Sequence, residues 1–412
     1  MIRRPNASSI LPCLILLLLL GAAPAGAKVY FQCPGYDRNQ DVDGNGDGML
    51  RASDGEIADP VSPNQVCIHL TAGDGFANMA DISHPEASGG RGYLQYIFGF
   101  SNVTGTRDNL VMDYGMMAAN WPAPTIKVRE GDELYLSLTN VGMMMRPDLF
   151  DPHTVHWHGF PNAASVFDGV PDASVSINMG STLTYYYNVV EPGTFLYHCH
   201  VEATEHMQMG MLGNLYVTPA QDGPSIEYGG RTYTKFAYND GDGSTGYDVD
   251  YPIQIGAFDP NFHDLHINVQ PLPFAEMDDK YPMLNGRGYP DTVNAAELAN
   301  TFDGKVTQKI NSRIVAERGQ RILLRVSSLS TTSFHTLRVL GIPMTVVGQG
   351  ARKLDHYYRT SSLTLGGGQA VDVILDTADI PPGTYPLYTT NLDHLNNYAE
   401  EYGGMMTEIV IQ

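Results

Sequence analysis

Two short segments of this 412-residue chain gather side chains that bind metal. Residues 151–159 read DPHTVHWHG and carry His153, His156 and His158. Residues 193–200 read GTFLYHCH and carry His198, Cys199 and His200, with His206 and Met211 just beyond. Six of the 13 histidines lie here, a concentration that core packing does not produce. Alternate residues of a strand face opposite sides, so Cys199 points away from His198 and His200, while His156 and His158 share a face. A thiolate with two imidazoles and a distant thioether is the blue-copper ligand set. Cys199, His206 and Met211 form its loop part, and His153 is placed to add the second imidazole from a neighbouring strand. His156, His158, His198 and His200 are left as a four-imidazole group suited to a second, open copper site that binds an oxidant. The covalent Cys–His link supplies an electron path between the two.

Strands must hold these residues, and the sequence supplies them twice. Residues 124–140 read as an alternating strand, a turn at Gly131 and a second alternating strand; residues 312–326 repeat this around Gly319. Residues 191–195 (EPGTF) match 381–385 (PPGTY), and 210–217 (GMLGNLYV) match 404–411 (GMMTEIVI). Period-2 runs between Gly and Pro turns predict an all-β protein of two antiparallel sandwich domains made by duplication. The domain boundary falls in the Gly-, Asp- and Pro-rich stretch near residues 219–233.

At the histidine segments the chain resembles the multicopper oxidases, laccase-like proteins built from cupredoxin Greek-key sandwiches. It matches their His-x-x-His-x-His-Gly and His-Cys-His motifs in order over roughly residues 96–412. The resemblance implies His153, Cys199, His206 and Met211 at a type 1 copper, His156 at a type 2 copper, and His158, His198 and His200 at type 3 coppers. It also puts Asp168 where the family carries an acid that relays protons to oxygen; a plain turn aspartate before Gly169 is the alternative. Two departures stand out. The Cys199–His206 stretch is two residues longer than the family's. The second domain keeps only His335 of its histidine motif, with Arg338 and Leu340 at the next ligand positions and no His or Cys in residues 387–391. One chain therefore lacks a full trinuclear set. The expected function is a copper oxidoreductase passing electrons from a reducing substrate to dioxygen, completed across subunits, as in a homotrimer. A nitrite-reductase-like enzyme and a non-catalytic electron carrier are the alternatives.

The remaining sequence sets limits. With 45 acidic and 24 basic residues the net charge is −21, which repels nucleic acid and anionic membranes. Arg3 and Arg4 precede an apolar run at residues 15–20, and small residues follow at 25–27. This predicts a signal peptide over 1–27, a secreted or periplasmic product, and no stable membrane insertion. Of the cysteines left, Cys33 and Cys67 are expected to pair and Cys199 to stay free. Residues 28–95 read as a loop-rich segment, 96–222 as the copper-binding domain and 223–412 as the depleted one. Residues 43–54 fit a calcium-type loop with Asp43, Asn45, Asp47, Met49 and Asp54 at ligand positions and Gly48 at the curve; a polar turn is the alternative. His263 and His266 read as surface loop, as does His394, although each could reach a neighbour's copper. Met143–Met145, Met207 and Met209 read as packing, with thioether binding of cuprous copper as the alternative.

Overall fold

The computed structural model describes residues 29–39, 41, 44–81, 92–160 and 164–412. The first 28 residues, where a signal peptide is expected, and Asp43 of the calcium-type loop lie outside them. Among the described residues no helix is long and apolar enough to cross a membrane.

The first domain is a two-sheet sandwich. One sheet contains β1 (Gln65–Asn78), β2 (Leu94–Asn102), β4 (Glu133–Gly142) and β6 (Thr182–Asn188). The other runs in the order β3 (Ile126–Arg129), β8 (Leu212–Thr218), β7 (Gly193–His198) and β5 (His156–His158). The second domain repeats the scheme. Its larger sheet holds β9 (Val249–Phe258), β10 (Tyr281–Leu284), β12 (Arg321–Ser328), β14 (Met344–Gln349), β15 (Arg352–Thr360) and β17 (Gln369–Asp376). Its smaller sheet holds β11 (Ile314–Ala316), β13 (His335–Val339), β16 (Leu363–Leu365), β18 (Gly383–Thr389) and β19 (Met406–Ile411).

The duplicated strand–turn–strand units are corners, not hairpins. β3 pairs with β8 while β4, beyond the turn, pairs with β1 and β6 in the other sheet. β11 and β12 divide in the same way. Gly131 and Gly319 turn the two corners with φ of 94° and 95°, a conformation L side chains rarely adopt. Because the chain changes sheets there, β3–β8, β1–β4, β9–β12 and β11–β19 are parallel pairs, so the sandwiches are mixed rather than purely antiparallel.

The segment ahead of residue 96 does not stand apart. β1 occupies the middle of the first sheet, paired with β2 on one side and β4 on the other, and all 14 of its residues are buried. Its alternation is masked because both faces are covered. The calcium-type loop is a turn pinned to this sheet. Asn45 and Asp47 each accept a backbone N–H two residues on, Asp54 accepts from Asn45 and Ser53, and Asn102 donates to the Gly48 carbonyl at 2.8 Å. Met49 is buried in the core. These are the bonds of Asx turns, and the described oxygens are engaged within the turn.

Each sandwich has its own core, and a third cluster closes the seam between them. There Trp121 stacks on Phe258 at 4.3 Å, with Ala77, Leu196 and Leu212 facing Tyr281, Met283 and Leu329.

Cys33 and Cys67 form a disulfide across a separation of 34 residues, tying the N-terminal segment to β1. Chain-entropy reasoning assigns such a loop about 3–4 kcal/mol. Replacing both cysteines with alanine should lower the urea unfolding free energy by about that much. A loss well under 1 kcal/mol would mean that the segment is anchored by its packing alone.

Candidate metal centre

β5 and β7 lie side by side, with His156 opposite His198 and Trp157 opposite Tyr197. This register brings the four outward imidazoles together. The ring of His156 lies 5.3 Å from His158, 5.3 Å from His198 and 4.9 Å from His200, and His158 Nε2 sits 2.9 Å from His198 Nε2. Backbone carbonyls fix the tautomers. Asp168 O accepts from His156 Nδ1 at 2.6 Å and Cys199 O accepts from His198 Nδ1 at 2.7 Å. The Gly368 carbonyl bonds the His158 ring. With Nδ1 donating, each Nε2 presents a lone pair, and these converge among His156, His158 and His198. Burial depresses His198 to about 3, and it lowers His158 as well, with the neighbouring His156 charge adding to the effect. Neutral imidazoles with facing lone pairs fit a metal and fit no hydrogen bond to one another. His200 stacks beside His198 at 5.5 Å, outside that closest group.

On the other side of β7, Cys199 is wholly buried in the first core. His206 Nδ1 lies 3.2 Å from its sulfur and His153 Nδ1 3.7 Å. Met211 is buried too, its carbonyl accepting from Cys199 N–H and its N–H donating to His206 O. Burial opposes ionising the Cys199 thiol, yet the His206 charge and the bonds from His153 and His206 outweigh it and hold the thiol well below its usual range. The same coupling, with help from Asp151, holds His206 up at about 10 against its own burial penalty. The thiolate is the metal-binding form of cysteine.

The stretch between Cys199 and His206 leads into helix α1 (Ala203–Gln208), which carries His206. A second helix, α2 (Pro260–Ile267), clamps it. Here the structure corrects the surface reading of His263 and His266: both are buried. The His263 ring lies between the carbonyls of Tyr96 (2.6 Å) and Gln208 (3.0 Å), and His266 Nε2 donates to Glu205 Oε1 at 2.7 Å. Asp259 caps α2 by accepting from Asn261 and Phe262, with Pro260 in the first turn. An FHDLH run gives little sign of burial, because the partners of its imidazoles are distant in sequence.

Asp168 stands by His156, with its carboxylate 3.7 Å from Nδ1. Arg338 is exposed, Leu340 is exposed and Thr389 is buried, so the matching positions of the second domain carry no metal group. His335 is buried against Ser330, with the half-buried His394 ring 5.1 Å away. Met143 and Met209 are residues of the first core, Met145 packs against that core and Met207 against the seam cluster, whereas Met144 is exposed. Sequence reasoning missed Asp151, Glu205, Arg146 and Gly368, all of which touch the histidines. Asp151 and Glu205 sit inside the ligand segments, which was the one available signal.

Residues 102–222 match a family profile described as multicopper oxidase, and residues 274–404 match a second of the same description. The L-ascorbate oxidase of Cucurbita pepo var. melopepo is 32% identical over 303 residues, covering 71% of this chain and 48% of that protein. The putative laccase-19 of Oryza sativa subsp. indica is 28% identical over 276 residues, covering 64% and 39%. This chain thus spans half or less of the length of these relatives. The crystal structure of the blue copper oxidase from Nitrosomonas europaea aligns with a TM-score of 0.60 at 22% identity, covering 84% of this chain and 86% of that one, a likeness of fold.

Burial depresses His263 to about 4, below the ordinary value near 6.5. Below about pH 6.5 the unfolded chain takes up a proton that this folded ring refuses, so its contribution to stability is present above that pH and is lost as pH falls toward 4. His263→Gln should make the wild-type loss of stability between about pH 6.5 and 4 shallower by up to ~1.4 kcal/mol per pH unit. Parallel slopes in urea titrations of the two proteins would show that His263 gains its proton within the fold.

Proposed function

This chain belongs to the multicopper oxidase family, and we propose that it is an exported copper oxidoreductase that passes electrons from a reducing substrate to dioxygen. The observation that carries this reading is the peptide at residues 198–199. Cys199 faces His153 and His206, while His198 faces His158. Two donor sets of different chemistry stand one residue apart.

Cys199, His153, His206 and Met211 would hold a type 1 copper, and His156, His158, His198 and His200 would hold coppers of type 2 and type 3 character. Bound copper would supply one-electron chemistry at the first set and oxygen reduction at the second. The protein's own part is to keep Cys199 ionised in a dry core, hold three Nε2 lone pairs toward one point, and leave the imidazole group open to solvent. The carboxylate of Asp168, beside His156 and half-exposed, suits delivery of protons to oxygen.

The imidazole group has four rings from one chain. His156, His158 and His200 are part-exposed, so a neighbouring copy could add ligands. In the second domain His335 and His394 present buried Nδ1 atoms without a hydrogen-bond partner, flanked by exposed Phe334 and Leu392. A closed ring, such as a homotrimer, would set such a face against the open site. His263 and His266 cannot serve in this way, because both are consumed inside the chain.

The purified, copper-loaded protein should show intense visible absorption from the cupric thiolate, and Cys199→Ser should abolish it while leaving the fold. Oxygen uptake with a phenolic or metal donor should fall to background in that variant. A copper-loaded wild type that is colourless would overturn the type 1 assignment. A blue monomer with one copper and no uptake of oxygen would make the protein an electron carrier, and uptake of nitrite instead would make it a nitrite reductase.

A further inference from the structure

We propose that two clefts meeting at Glu297, on the seam between the domains, form one binding site for a neutral oligosaccharide. The site shares no residue with either set of copper donors, and the inference goes beyond the redox function proposed above.

A hairpin of the second domain, Leu298–Ala299 paired with Val306–Gln308, contributes to both clefts. It is pinned to the first sandwich. Asn78 Oδ1 accepts from Thr301 N–H at 2.8 Å, the Phe302 ring lies 4.3 Å from Phe76, and the Thr307 carbonyl accepts from Trp121 N–H at 2.8 Å. One cleft, of about 440 Å³, has Tyr114, Asn120, Lys305 and Lys309 in its lining. The other, of about 420 Å³, has Asn78, Asp291, Asn294, Gln308 and Glu400. Glu297 lines both. These volumes are those of small-molecule sites, and walls already held in place spare a ligand the cost of ordering them.

Asn120 carries the inference. Its side chain is 2% exposed. Its Nδ2 donates to the carbonyls of Ala118 at 3.1 Å and Val306 at 3.5 Å, two other residues of the same lining. Its Oδ1 is buried and receives no hydrogen bond. An acceptor left in that state costs free energy, and a hydroxyl brought to the cleft floor removes the cost. Tyr114 supplies an independent signal. Its ring is 58% exposed on the short helix Val111–Gly115. That helix is seated on β1: Gly115 lies so near Thr71 that a Cβ would come within 2.7 Å. A flat aromatic face is thus held open at a polar cleft.

The donor types choose the ligand. Lys305, Lys309 and Thr106 offer donors, while Asn120 and Glu297 offer acceptors. A pyranose ring matches this mixture, because its hydroxyls both donate and accept and its C–H face packs on an aromatic ring. An apolar ligand would bury the amide and the carboxylate without partners. Charge selects a neutral sugar. Asp291, Glu297 and Glu400 outnumber Lys305 and Lys309, and the Lys305 ammonium already donates to the Met116 carbonyl. The net charge of −21 adds to the repulsion of an acidic sugar. Two adjoining clefts suit a chain of rings rather than one. A site of this kind would hold the protein on a polysaccharide and leave both metal groups free.

The test is isothermal titration calorimetry of the full-length protein in about 0.15 M salt. The probes are three neutral chains, cellohexaose, xylohexaose and mannohexaose, with hexagalacturonate as the acidic counterpart. Wild type should bind at least one neutral chain at one site, and hexagalacturonate more weakly. Tyr114→Ala should weaken binding at least about fivefold. Tyr114→Phe should restore it, since the ring face makes the contact. Asn120→Ala should also weaken binding; should that variant fold poorly, the exposed Tyr114 pair decides the matter. Failure to bind any of the three neutral chains would overturn the proposal. So would binding that Tyr114→Ala leaves unchanged, or tighter binding of hexagalacturonate. A colourless copper-loaded protein that still binds a neutral chain in this pattern would sink the copper assignment and uphold this site.

Discussion

One peptide bond separates two chemically distinct donor groups, and the constraint behind it is the alternation of side chains at the end of β7. Cys199 turns its sulfur into the first core, and His198 turns to the opposite side, where His156 and His158 arrive on β5. Nothing about this arrangement tolerates slippage. A shift of one residue in the β5–β7 register would send the imidazoles into the core and the thiol out to water. Tyr197 opposite Trp157, both buried, opposes that shift. The cost of the arrangement is a thiolate in a dry interior, which is met by ring nitrogens at 3.2 and 3.7 Å.

Much of this was legible in the sequence, because the signals are local. The spacing of His156 and His158, the parity about Cys199 and the strand–turn–strand units at Gly131 and Gly319 each lie within a short stretch, and the pairing of Cys33 with Cys67 followed from counting the cysteines. The parts that were not legible depend on contacts between distant segments. β1 reads as nondescript because both its faces are buried. α2 reads as surface because its histidines find Tyr96, Gln208 and Glu205, which lie 55 to 167 positions away for His263 and 61 for His266. The parallel strand pairs escaped notice because corners and hairpins share one pattern of alternation and glycine.

The second domain carries no metal group at Arg338, Leu340 or Thr389, yet it is joined to the first at the site. Thr194, on the strand that carries His198, donates to Asp372 at 2.6 Å, and Asp372 faces the buried Arg325. Gly368 lies against His158 so closely that a Cβ there would come within 2.8 Å of the ring. Its φ of 84° already excludes most other residues. The second sandwich therefore acts as one wall of the imidazole group, and the identity of its turn residues shapes a site to which it gives no ligand.

The clamp of α2 on α1 limits how far the first sandwich can stand by itself. Residues 102–222, the span of the first family match, contain every side chain assigned to copper within this chain. Yet the imidazoles that hold the Gln208 carbonyl and the Glu205 carboxylate lie on α2, inside the second domain. A fragment ending at residue 222 would keep those ligands and lose the cover of the helix that carries His206.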